Sequence, residues 1–112
     1  MSDNVFRFEE SRAVLELKDA LTISLGDNLV RLVLFGSRAR GDYDNESDID
    51  IAIIVRGLSR KLKNQILNKV AEIEVKYLIP ISTIVFSEQE FNRLKKRERR
   101  IAIDIEREGM PL

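Results

Sequence analysis

A helix of crossover length between two strand-like segments constrains this chain more than any other feature. Residues 48–55 and 81–86 are short runs rich in β-branched residues, and residues 59–77 between them carry an apolar stripe with helical spacing. Pro80 prevents this helix from continuing into the next strand. Because a strand–helix–strand unit of this length usually joins parallel neighbours by a right-handed crossover, the sequence predicts a parallel strand pair.

The segment before this unit adds a third strand. Residues 29–35 form a short aliphatic run that ends at Gly36-Ser37, which is typical of a buried strand followed by a turn. Residues 38–46 are polar and are expected to form a loop or a single helical turn. This connection is too short for a crossover, so the first two strands are expected to be antiparallel.

Two more helices complete the predicted order α-β-(turn)-β-α-β-α. The first covers residues 9–24, and the last runs from the capping box of Ser87 and Glu90 to a stop at Gly109-Met110-Pro111. The fold class is therefore α/β (α+β), a small mixed sheet of three or more strands flanked by helices.

Composition restricts the chemistry available to the chain. Its 112 residues suit a single domain, 1–112, and include neither cysteine nor histidine. This excludes disulfide frameworks, thiol nucleophiles and imidazole acid–base catalysis. With 19 basic and 19 acidic residues, the net charge is zero, so nucleic acid is not an expected partner. No apolar run is long enough to cross a bilayer, so no membrane association is expected and the expected location is the cytoplasm.

The predicted strands bring several polar residues to one edge of the sheet. Asp48 and Asp50 lie at i and i+2, so both carboxylates point to one face, where they repel each other unless a cation or a basic side chain intervenes. A solvated strand start paired with Arg38 or Arg40 and a site for Mg²⁺ or Mn²⁺ both fit this pair. Gly36-Ser37 alone is either an ordinary turn or one that holds phosphate oxygens.

Taken together, these residues match a specific signature. Gly36-Ser37, ten intervening residues and Asp48-Ile49-Asp50 form the signature GS-x10-D-x-D. The strings GSRARGD and SDID match the usual form of this motif. The chain thus resembles the minimal nucleotidyltransferases of the DNA polymerase β superfamily, and the predicted strands provide the context that the motif requires.

The resemblance implies a polymerase β-like fold and a metal-dependent transfer of a nucleoside monophosphate, such as AMP from ATP or another nucleoside triphosphate, to a hydroxyl. Asp48 and Asp50 would be the catalytic metal ligands for Mg²⁺ or Mn²⁺. Gly36 and Ser37 would bind the phosphates, and Arg38 or Arg40 would neutralise them.

One departure from the family pattern concerns the third carboxylate. The family carries it near the start of the third strand, where this chain has the neutral Ser82; the nearest acids in sequence, Glu72, Glu74 and Glu88, are not obvious replacements. The missing ligand leaves two hypotheses open. The chain is either a working nucleotidyltransferase or a catalytically weak interaction protein with the same fold.

The resemblance also implies a partner. Small domains of this type resemble the antitoxins of HEPN/MNT toxin–antitoxin pairs, so a HEPN-domain protein and a homo- or hetero-oligomer are expected. The basic stretch 93–100 fits either a solvated helix face or a patch for an acidic partner.

Overall fold

The computed structural model describes residues 5–41 and 47–112, and the part of the predicted loop at residues 42–46 lies outside the described residues. Its elements follow the predicted order from the first helix through the third strand. They are α1 Phe8–Leu25, a 3₁₀ turn at Gly26–Asn28, β1 Leu29–Phe35, α2 Gly36–Arg40, β2 Ile49–Val55, α3 Arg60–Tyr77, β3 Ile81–Ser87, α4 Glu88–Lys96, α5 Arg100–Glu108 and β4 Met110–Pro111.

The strands form one mixed sheet in the order β3-β2-β1-β4. β1 and β2 are antiparallel and β2 and β3 are parallel, which confirms both predicted pairings. The register places Asp50 opposite Phe35 on one side and opposite Ser82 on the other. The N-terminal ends of β2 and β3 therefore meet the C-terminal end of β1 at a single edge of the sheet.

Alternation along β2 divides the apolar residues between two cores, one on each face of the sheet. Ile49, Ile51 and Ile53 point towards α1 and α3, whose buried residues complete the first core. Ala52 and Ile54 point the other way and pack with apolar residues of α4 and α5. Asp50 shares the parity of Ala52, so its side chain lies on the α4/α5 face at the open end of the sheet.

Serine residues cap the N-termini of two of the helices. The Ser59 hydroxyl accepts a hydrogen bond from the Leu62 amide at 3.1 Å and caps α3. The Ser87 hydroxyl accepts one from the Glu90 amide at 3.0 Å and caps α4, which is the serine half of the predicted capping box. α3 thus begins at Arg60, one residue after its cap.

The prediction of one final helix from Ser87 to Gly109 is wrong. α4 ends at Lys96 and α5 begins at Arg100, and Glu98 between them has a left-handed backbone with φ of +54°. A continuous helix over this range would be about 31 Å long, whereas a seven-residue strand spans about 23 Å. The break lets Phe91 of α4 and Ile105 of α5 both pack in the same core over the sheet.

The residues predicted to stop this helix instead add a fourth strand. Met110 and Pro111 pair antiparallel with Leu34 and Val33 of β1, and the Leu112 amide donates to the Leu32 carbonyl at 2.9 Å. This short strand covers the edge of β1 that β2 leaves open. Among the described residues, no helix combines the length and hydropathy needed to span a membrane.

Candidate functional site

The turn after β1 brings Gly36 into contact with an aspartate of β2. Gly36 has φ of +77° and begins α2, whereas the sequence predicted that any helical turn would start only at residue 38. A Cβ on Gly36 would overlap Asp50 Oδ2 and lie 3.1 Å from Asp50 Cγ. Only glycine provides both the left-handed backbone and the space for this carboxylate, so the two halves of the motif pack directly against each other.

The two aspartates differ in environment. Asp48 directly precedes β2 and is exposed, whereas Asp50 is the second residue of β2 and is half-buried. Burial, followed by the nearby negative charge of Asp48, raises the pKa of Asp50, and the positive charge of Arg40 partly opposes that increase. The two aspartates therefore concentrate negative charge, which a bound cation would stabilise.

Ser82 lies beside Asp50, at the position where the family pattern requires the third carboxylate. It is exposed and paired with Asp50 in the parallel register. Within residues 5–41 and 47–112, no group of three acidic side chains is close enough to hold one metal ion. The described part of the site thus contains two carboxylates and a hydroxyl.

The other nearby acids in sequence have different partners. Glu74 belongs to α3, on the face opposite Asp50, and its carboxylate accepts a hydrogen bond from the Ile81 amide at 2.8 Å. Glu72 pairs with Lys69 on the same helix. Glu88 pairs with Arg56 at the C-terminal end of β2, the far end of the strand from Asp50. None of the three replaces the missing ligand.

Arg38 lies in the interior rather than at the open edge. Its side chain is 3% exposed, and it donates to both carboxylate oxygens of Glu10 at 2.8 and 2.9 Å. The same guanidinium donates to the carbonyls of Val5 at 2.9 Å and Ser47 at 2.8 Å. This arrangement does not support the predicted contact between Arg38 and phosphate, because the positive charge is buried and neutralised by Glu10.

Glu10 is a residue that sequence analysis missed. Its hydrogen bonds from Arg38, together with those from the Arg7 amide and side chain, lower the pKa of Glu10 to about 2 despite its burial. Glu10 occupies the first turn of α1, where acids are common for purely local reasons. The only available sequence signal was its place in an otherwise apolar inward stripe with Val14 and Leu17, which are also buried.

Arg40 is the accessible arginine of the motif. Its side chain is 41% exposed, and one guanidinium nitrogen lies 3.9 Å from a carboxylate oxygen of Glu108 at the end of α5. A pair this long and this exposed contributes little stability, so an anionic ligand could compete with Glu108 for Arg40. Arg40 also lies near enough to Asp50 to affect its pKa.

The comparison with known protein families agrees with this geometry. Residues 16–108 match the model of a family described as the nucleotidyltransferase domain, a span that includes the GS turn, both aspartates and Ser82. The chain belongs to this nucleotidyltransferase family. The earlier resemblance, drawn from the motif and its predicted strand context, is thereby confirmed over most of the chain.

Two relatives come from Methanocaldococcus jannaschii. The protein named "Putative protein adenylyltransferase MJ0141" is 42% identical over 74 residues, which is 65% of this chain and 75% of that protein. The protein named "Putative protein adenylyltransferase MJ0604" is 36% identical over 84 residues, which is 75% of this chain and 80% of that protein.

A solved structure has the same fold. The crystal structure titled as a putative nucleotidyltransferase from Sulfolobus solfataricus superposes with a TM-score of 0.53 at 24% sequence identity. The match covers 89% of this chain and 76% of that one. The mixed α+β sheet described above is thus a nucleotidyltransferase fold.

Proposed function

We propose that this protein transfers a nucleoside monophosphate, AMP from ATP, to a hydroxyl group on a partner protein and that the transfer requires Mg²⁺ or Mn²⁺. The observation that carries the proposal is the packing of Asp50 against Gly36, which joins the phosphate-binding turn to the paired carboxylates. Membership of the nucleotidyltransferase family supports the reaction class. The names of both archaeal relatives support adenylyl transfer and a protein acceptor.

In the proposed reaction, the acceptor hydroxyl attacks the α-phosphorus of ATP. An oxygen–phosphorus bond forms to the acceptor, the bond between the α-phosphorus and the bridging oxygen breaks, pyrophosphate leaves, and the hydroxyl proton passes to solvent. The amides and hydroxyl of Gly36 and Ser37 would hold the terminal phosphates, and Arg40 would neutralise them after leaving Glu108. These residues would orient the triphosphate relative to the carboxylates.

The donor set fits a hard divalent cation. Asp48 and Asp50 provide carboxylate oxygens close enough for the charge of Asp48 to raise the pKa of Asp50, and the exposed Ser82 adds a neutral oxygen beside Asp50. The chain contains no cysteine or histidine to provide a thiolate or imidazole ligand, so the site favours Mg²⁺ or Mn²⁺ over zinc. A bound cation would stabilise the charge on the attacking and leaving oxygens.

The proposed acceptor is a HEPN-domain protein, which this chain would neutralise as its antitoxin. A protein acceptor agrees with the names of the two relatives. The exposed basic residues around the break between α4 and α5 offer a surface for an acidic partner; Arg93, Lys96, Arg97 and Arg99 are all exposed.

A second candidate function is binding without transfer, in which the same fold neutralises the partner by forming a complex. The observation that favours it is Ser82, since the position expected for the third carboxylate is identified by its register with Asp50 and holds a neutral side chain. Loss of one charged ligand should weaken metal binding and slow the reaction. The two candidates differ in whether the partner becomes covalently labelled.

The experiment uses ATP labelled at the α-phosphate or, in parallel, at the γ-phosphate. With Mn²⁺ and the co-purified partner, we expect α-label but no γ-label on the partner, and we expect Asp48→Asn with Asp50→Asn to abolish it. Asp19→Asn, an exposed aspartate on α1, is the matched control and should retain labelling. A stable complex without α-label would reject transfer and favour binding alone.

A further inference from the structure

A buried guanidinium connects the two halves of the motif. Arg38 directly follows Ser37 in the chain, and its side chain donates to the carbonyl of Ser47, which directly precedes Asp48, at 2.8 Å. One side chain therefore spans from the phosphate-binding turn to the start of the metal-binding strand.

Glu10 determines where that guanidinium lies. Its carboxylate receives two hydrogen bonds from Arg38, while Oε1 also accepts one from the Arg7 amide at 2.8 Å. The carboxylate is thus attached to the first turn of α1 and presents both oxygens to the planar guanidinium. Since Arg38 is 3% exposed and Glu10 is 2% exposed, neither charge has water as a substitute partner.

Filling space does not by itself require charged residues here. Apolar side chains of similar volume often replace a buried ion pair without loss of stability. The charged pair instead provides directed hydrogen bonds, because Arg38 also donates to the carbonyls of Val5 and Ser47. Both carbonyls belong to segments outside the regular helices and strands, so these hydrogen bonds connect both segments to α2.

We propose that Glu10 and Arg38 are positioning residues of the nucleotide site. Glu10 orients Arg38, and Arg38 holds the Gly36-Ser37 turn and Asp48 at the separation at which one metal–triphosphate ligand contacts both. The inference rests on the proposed function and assigns a role to Glu10, which lies outside the signature motif. It also replaces the phosphate contact predicted for Arg38 with an indirect role.

The test compares two changes to this pair with a change elsewhere in the core. Glu10→Leu with Arg38→Met keeps the volume but removes every directed bond, and Arg38→Lys keeps the charge but loses the planar fork. Val70→Ala, on the buried face of α3, is the control that lowers the melting temperature without touching the site. The Arg38→Lys variant keeps the test usable if the double variant does not fold.

The first measurement is hydrogen exchange of the unliganded proteins. The Gly41 amide donates to the carbonyls of Ser37 and Arg38 at 2.9 and 3.3 Å and therefore reports on α2. We expect faster exchange at Gly41 and at residues 47–50 in both pair variants, but unchanged relative protection there in Val70→Ala. Equal protection at these amides in all the proteins would overturn the proposal.

The second measurement is ATP binding and adenylyl transfer with Mn²⁺ below the melting temperature of every variant. A misplacement of about 1 Å at a reacting centre can cost about 10²-fold in rate, so we expect kcat/KM to fall by about 10²-fold in both pair variants and to be retained in Val70→Ala. Retained kcat/KM in the pair variants would overturn the positioning role of Glu10 and Arg38 but not the proposed function. A parent protein that neither binds nor transfers would instead overturn the proposed function, while the exchange result would still decide whether the pair holds the motif together.

Discussion

Replacing Gly36 by alanine tests the contact on which the site depends. In the native protein Gly36 has φ of +77°, and the carboxylate of Asp50 occupies the space where a Cβ would lie. Gly57, in the turn after β2, has a similar φ of +69° but no atom within 4 Å of its Cβ position. The two glycines therefore separate the cost of the backbone conformation from the cost of displacing Asp50.

The expected magnitudes follow from that difference. A left-handed backbone costs a residue with a Cβ about 1–2 kcal/mol, and this should be the whole effect of Gly57→Ala. Gly36→Ala should add about 1 kcal/mol because the Asp50 side chain must leave its preferred rotamer. For a domain of this size, a total of about 2–3 kcal/mol corresponds to a decrease in melting temperature of roughly 10–20 °C.

The assay is a double-mutant cycle by chemical denaturation. Asp50→Ala removes the clashing carboxylate, so Gly36→Ala should cost about 1 kcal/mol less in that background than in the parent protein. Gly57→Ala should cost the same in both backgrounds. If Gly36→Ala destabilises the parent no more than Gly57→Ala does, the close packing of the motif halves is refuted.

Two further predictions concern charge. The pKa of Glu10 is lowered from 4.5 to about 2, so its ionised form stabilises the fold above pH 5 and this stability, about 3 kcal/mol, is lost as the pH falls from about 5 to 2. Denaturation of the parent and Glu10→Gln at several pH values should show this dependence in the parent only, and parallel curves would contradict it. Ser82→Asp should lower the melting temperature without metal and raise metal affinity, because a third carboxylate then lies beside Asp50. Thr83→Asp, on the opposite face, is the control and should lower the melting temperature without raising metal affinity.

The sheet and the motif could be predicted from sequence because their signals are local. Gly36 and Pro80 mark one boundary each of β1 and β3, and the β-branched residues between such boundaries favour strands. Once the crossover helix made β2 and β3 parallel, the proximity of Asp50 and Ser82 followed from strand direction alone. The metal and phosphate roles of these residues remain predictions.

The break in the last helix left no such signal. Phe91 and Ile105 are fourteen positions apart, almost four full helical turns, so the apolar pattern continues across the break as if the helix were straight. Glu98 is an unusual residue for a left-handed position, and neither glycine nor proline marks the site. Packing against a short sheet, rather than local preference, determines where the chain turns.

The Glu10–Arg38 pair was hidden for a different reason. Its members are 28 positions apart, and each has a sufficient local explanation, Glu10 in the first turn of a helix and Arg38 in the motif predicted to bind phosphate. Charge complementarity between distant residues has no periodicity that a single sequence can show. Only the fold reveals that α1 and α2 place these two side chains together.

The pairing of β4 with β1 has a consequence for biosynthesis. Val33 and Leu34 are synthesised long before their partners Pro111 and Met110. β1 and β2 are close in sequence and can pair beforehand, so the edge of β1 facing β4 stays open to other strands until residues 110 and 111 have been synthesised. A nascent chain interrupted before residue 110 would thus carry the assembled motif on a sheet that is prone to aggregation.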